Sequence, residues 1–207
     1  MGVFEAVVLG IVQGATEFLP VSSSGHLIVL PGIFGWENHA LVFDTTLHLG
    51  TSLAVLIYFW KDLLEIIKQP KKWWLVIFLG ILPAGLMGFF FNDFLESYFR
   101  DVSYVVVFLI LGSILMMVGE IVPKYLSWKK DLKELGLLGS LKIGLFQALA
   151  LLPGFSRSGS TIAGGMLTGL NRKEAAKFSF LLSIPLVWAA GFYEFTQISV
   201  PAVSLNL

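Results

Sequence analysis

Cysteine is missing from all 207 residues, which removes disulfide frameworks, thiolate nucleophiles and Cys-ligated metals from consideration. Charge is scarce too: Asp, Glu, Lys and Arg make up 14% of the chain and cancel to a net of zero. A binder of phosphate backbones carries a basic patch on a basic domain, so nucleic acid is excluded as a partner. No Lys or Arg precedes Lys61. The apolar N-terminus therefore lacks the basic n-region of a signal peptide, and residues 2–19 are expected in the mature protein.

What is present is hydrophobic, 56% of residues with a mean hydropathy of +0.82. Such a chain reads as an integral membrane protein, all-α, with residues 1–207 as one membrane domain in contact with the lipid bilayer. Crossing a hydrocarbon core of about 30 Å takes roughly 20 helical residues. Full spans are expected at 43–60, 74–91, 105–122 and 178–195, about four in all. Residues 27–35 (LIVLPGIFG) are too few to cross and follow the polar turn SSSG. The economical arrangement for 2–35 is a re-entrant hairpin: a helix enters, a polar tip turns at mid-depth, and a short helix returns. Residues 140–170 repeat it, with the apolar approach LKIGLFQALALLPG, the tip FSRSGS and the exit TIAGGMLTGL.

An offset of 134 positions aligns Gly10 with Gly144, Gln13 with Gln147, Ser22 with Ser156, Ser24 with Ser158 and Gly25 with Gly159. This points to an internal duplication, repeat 1 over about 2–122 and repeat 2 over about 137–207. Three spans between the hairpins put them on opposite faces, an inverted-topology repeat in which broken helices meet at the midplane. Charge supports that layout. All lysines and Arg172 fall on one face, Lys142 at a hairpin mouth, while the other face holds only Arg100. By the positive-inside rule the first face is cytoplasmic, so the first hairpin enters from outside. Repeat 2 then stands about two helices short of repeat 1.

Non-helical backbone at membrane depth must line a polar pocket, because unpaired N–H and C=O groups in lipid are costly. With exit helices starting right after SSSG and SRSG, two helix N-termini aim their free N–H groups at that pocket, a setting for an anion. Arg157 stays charged at depth and its planar fork suits phosphate oxygens. An ion pair with Glu17 is the plainer reading of the same residue, and the two are compatible. Glu17 and Gln13, one turn apart, share a helix face. They suit a divalent cation, Mg or Ca, bridging to phosphate, and acid–base work by Glu17 is the other option. His26 lies in the first turn of an exit helix beside three hydroxyls, where it would act as base, as leaving-group acid or as nucleophile, with one serine as the alternative nucleophile. His48, Asp44, Thr45, Thr46, Thr51 and Ser52 read as helix-packing groups. Tyr58, Trp60, Trp73 and Trp74 read as an interfacial aromatic belt.

The stretches G-x-x-Q-G-x-T-E-F-L-P-V-S-S-S-G-H (10–26) and P-G-F-S-R-S-G-S-T (153–161) resemble the two signature motifs of the bacitracin-resistance type undecaprenyl-diphosphate phosphatases. The similarity runs through the whole chain, including FDTTLHLGT and the stretch at 171–176. It implies removal of the terminal phosphate from a C55 polyprenyl diphosphate, recycling the carrier for cell-wall synthesis at the plasma membrane. It further implies a metal-associated pair, Gln13 and Glu17, with Ser23, His26 and Arg157 functional beside it. Ser22, Ser24, Gly25, Ser156, Ser158, Gly159 and Thr161 are expected to bind substrate. Members of that family are longer, and a homodimer would cover the face left bare here. The rival class is a transporter or flippase of an anionic lipid, since inverted repeats also serve transport. Crowding of Glu17, Ser23 and His26 around one pocket favours an enzyme, because transport needs no nucleophile.

Overall fold

The computed structural model describes residues 2–37, 41–68, 71–99, 101–126 and 130–197. Among them the chain is all-helical, with no strand and a single isolated bridge between Lys130 and Leu170. The four helices that flank the polar turns are short: α1 (Val3–Thr16), α2 (Ser23–Phe34), α7 (Leu137–Leu149) and α8 (Arg157–Leu167). At 1.5 Å per residue the 14 residues of α1 cover about 21 Å and the 11 of α8 about 17 Å, well short of a bilayer core. Between the pairs run α3 (Leu41–Tyr58), α4 (Trp60–Lys68), α5 (Lys71–Phe99) and α6 (Val102–Leu126), and α9 (Arg172–Gln197) follows α8.

Three helices, α5, α6 and α9, are long and apolar enough to cross a membrane. The fourth expected span is not among them. α3 carries Asp44, His48 and four hydroxyl residues and ends at Tyr58. There the chain turns into α4, a nine-residue helix the hydropathy pattern did not show because Lys61, Asp62, Glu65 and Lys68 mask it. Trp60, Trp74 and Tyr58 are exposed as a belt requires, whereas Trp73 packs against the core.

Close helix packing comes from small residues. A Cβ on Gly144 of α7 would sit 2.8 Å from the Gly80 carbonyl of α5, and one on Gly119 of α6 would sit 2.8 Å from Ala163 of α8. The buried Ser140 hydroxyl donates to the Val76 carbonyl, and Gln147 Nε2 donates to the Gly80 carbonyl at 3.1 Å, so α7 is fastened to α5 by polar as well as steric means. The apolar core gathers where α5, α7, α8 and α9 meet, around Val76, Ile143, Ile162, Phe178 and Leu182. Lys177 pairs with Asp62, and Arg172 Nε with Glu120 Oε1 at 3.1 Å, which brings the basic ends of α4, α6 and α9 to one end of the bundle. Arg100 and Lys129, used in the charge argument, lie outside the described residues.

Candidate active site

The two polar turns have the same construction. Ser22 caps α2 and accepts from the Gly25 amide at 3.2 Å, while Ser156 caps α8 and accepts from the Gly159 amide at 3.0 Å. Beside each cap the next-but-one serine adds a hydroxyl contact, Ser22 to Ser24 at 3.4 Å and Ser156 to Ser158 at 3.1 Å. The exit helices thus begin inside the motifs, at Ser23 and Arg157, not after them. A serine that can cap the amide three residues on starts a helix at the position after itself. The amides of Ser23, Ser24, Arg157 and Ser158 keep no backbone acceptor, as first-turn amides must, so each turn still offers positive N–H groups. Ser22 takes φ 63° and ψ 89°, a left-handed conformation costing about 1 kcal/mol for a residue with a Cβ.

Glu17 is the hub. It follows the last turn of α1 with its amide bonded to the Gln13 carbonyl at 2.9 Å, and its side chain is 7% exposed. Arg157, reaching from the second turn, ion-pairs with Oε1. The Ser23 hydroxyl donates to Oε2 at 2.6 Å and Gln13 Nε2 at 3.0 Å. Arg157 extends its other terminal nitrogen to the Ser179 carbonyl of α9 at 3.4 Å. A second tie joins the turns directly, the Ser158 hydroxyl donating to the Leu19 carbonyl at 3.2 Å. An unpaired carboxylate or guanidinium in this setting would be costly, and each answers the other.

The structure therefore brings Gln13, Glu17, Ser23 and Arg157 into one cluster, with Ser22, Ser24, Gly25, Ser156, Ser158 and Gly159 forming the caps around it. His26 stands apart. Its Nδ1 donates to the Ser22 carbonyl at 2.7 Å, which leaves Nε2 able to accept a proton, but no contact joins the ring to Glu17 or Arg157. Thr161 turns its hydroxyl to the Arg157 carbonyl at 2.8 Å and to Ser179, bracing α8 against α9. His48, read from sequence as a packing group, instead points Nε2 at Glu17 Oε2 from 3.5 Å.

For a divalent cation the donor set is oxygen-rich and small. The Gln13 Oε1 atom is buried beside Glu17 without a hydrogen-bond donor, the kind of orphaned acceptor a cation satisfies. Among the described residues no three His, Cys, Asp or Glu side chains converge. The protein would supply two oxygens, leaving the rest to water and phosphate, as Mg²⁺ prefers.

Fold and site describe an all-helical protein with three helices long and apolar enough to cross a membrane and a buried arginine–glutamate pair joining two serine-capped turns. The chain matches the family described as Bacitracin resistance protein BacA over residues 6–205, and it belongs to that family. It is 45% identical over 203 residues to the undecaprenyl-diphosphatase of Caldicellulosiruptor bescii, covering 92% of this chain and 74% of the relative. With that of Thermomicrobium roseum the identity is 47% over 213 residues, covering 94% and 76%. The Desulforudis audaxviator protein of the same name is 40% identical over the whole of this chain and 81% of its own length.

Proposed function

We infer that the protein hydrolyses undecaprenyl diphosphate to undecaprenyl phosphate and inorganic phosphate, a reaction that recycles a cell-wall lipid carrier and opposes bacitracin. Family membership carries the substrate and reaction. The single structural observation behind the site assignment is the ion pair that joins Glu17 of one turn to Arg157 of the other, with Ser23 on the same carboxylate. Arg157 is the anion's counter-ion. An arriving diphosphate takes its guanidinium bidentately, which releases Glu17 Oε1 while Oε2 keeps Ser23. The Ser23 oxygen attacks the terminal phosphorus, its proton passes to Glu17, and the P–O bond to the lipid phosphate breaks. Water then attacks the phosphoserine with its proton passing to His26 Nε2, the Ser23 O–P bond breaks, Glu17 returns a proton to the Ser23 oxygen, and inorganic phosphate leaves. Free amides of Ser23, Ser24, Arg157 and Ser158 complement the charge that builds on the phosphoryl oxygens. A divalent cation held by Gln13 and Glu17 would supply further charge neutralisation when bound.

The same reading extends to topology. Matching caps at Ser22 and Ser156, four helices too short to cross, and tips that meet through Glu17 and Ser158 support two re-entrant hairpins related by an inverted repeat, 2–122 and 137–207. Basic ends gathered at one end of the bundle support a cytoplasmic location for that end, hence an inner-membrane protein whose site opens to the outer face.

Purified protein should release inorganic phosphate from undecaprenyl diphosphate, and chelation should stop it. Movement of labelled lipid between liposome leaflets with no phosphate release would replace this reading by a transporter.

A further inference from the structure

Glu17 has one partner that belongs to neither hairpin. His48 sits on α3, its side chain a quarter exposed, with Nε2 3.5 Å from Glu17 Oε2. Its other ring nitrogen is already committed: Nδ1 lies 2.8 Å from the Asp44 carbonyl one turn back, and a carbonyl can only accept. That bond fixes the ring plane, and since the carboxylate facing Nε2 can only accept as well, His48 holds Glu17 when both ring nitrogens carry hydrogen.

Partners of Glu17 differ in what happens to them during the proposed reaction, on which this inference rests. Arg157 is shared with the incoming diphosphate, and Ser23 becomes covalently engaged. Gln13 precedes Glu17 by one turn of the same helix and moves with it. His48 alone touches the hub from an element that takes no part in binding or chemistry. We propose that His48 is a positioning residue, which holds the Glu17 carboxylate in register with Ser23 after Arg157 has turned to the substrate. A partner that orients a catalytic carboxylate in this way contributes about 10- to 100-fold to activity.

Three substitutions separate positioning from packing. His48→Leu keeps bulk and loses the donor, His48→Gln places an amide N–H near the former Nε2, and His48→Ala loses both. Phosphate release from undecaprenyl diphosphate should show kcat reduced about 10- to 100-fold in the Leu and Ala variants with KM unchanged, and restored to within about threefold of the parent in the Gln variant. Wild-type kcat in His48→Leu would overturn the proposal. So would equal losses in all three, which is what a role in folding alone gives. Melting temperatures of the parent, His48→Leu, Glu17→Gln and the double variant in detergent give a readout that needs no activity. The two losses should be less than additive, and additive losses would dismiss the contact even if the parent releases no phosphate. Should the parent be inactive while the losses are non-additive, the enzymatic reading fails and the contact stands.

Discussion

In the first turn the residue after the cap is Ser23, in the second it is Arg157, and three positions further on His26 is answered by Ser160. Otherwise the turns match, each a serine cap on a glycine amide with a second serine alongside. Surroundings diverge as well: nine residues of α8 are buried, against four of α2. The caps share their side-chain bonds but not their backbone, φ 63° at Ser22 against −54° at Ser156, and the two turns suit two kinds of job. The deeply packed copy presents a fixed cation, and the more open copy presents the carboxylate-bound hydroxyl. Neither turn alone has both the Glu17-bound hydroxyl and the guanidinium, so the proposed chemistry needs both.

Breaking the division of labour should have the largest effect. Glu17→Gln and Arg157→Ala, one on each side, should each cut the rate of phosphate release by about 10²- to 10⁴-fold, and substantial activity in either would dissolve the site as drawn. Stability should then tell the two apart from their sum. Arg157→Ala strands a buried carboxylate at about 3–5 kcal/mol, whereas the pair Glu17→Gln with Arg157→Gln leaves no charge behind and should melt well above it. A more selective contrast uses the positions where the turns differ. His26→Ala should slow release about 10²-fold, while Ser160→Ala should leave the rate alone and raise stability by up to about 1 kcal/mol, because the buried Ser160 hydroxyl has no partner to lose. The smallest effect tests what they share. Ser22→Ala and Ser156→Ala should each cost about 1 kcal/mol in thermal or chemical unfolding. Ser22→Gly should be milder than Ser22→Ala, since glycine suits φ 63°, and no such relief is available at Ser156, where φ is −54°.

Much of this was readable in the chain because the informative signals are local or repeated. The 134-residue offset aligns the two caps, and the cost of charge at depth calls for a partner for Arg157, read first as phosphate with Glu17 as the plainer alternative. Helix starts at Ser23 and Arg157 were misplaced by a few residues, although a serine three before a glycine amide is the capping signal that gives them. His48 was hidden for a different reason. Its spacing from Asp44 says only that the two share a helix face, and nothing in the sequence states that this face meets a carboxylate 31 positions earlier. α4 was missed because hydropathy averages over a window, and four charges in nine residues erase an amphipathic turn of helix.

The tie between Glu17 and Arg157 spans 140 residues of chain, and translation delivers them in order. At about 5–20 residues per second the carboxylate waits roughly 7 to 28 s for its guanidinium. Throughout that interval Gln13, Ser23 and His48 are the partners the chain can offer it, and the guanidinium comes last. The contact that joins the two turns is therefore among the last of the site to form during synthesis, and a chain that makes the first turn without the second leaves a buried carboxylate without its guanidinium.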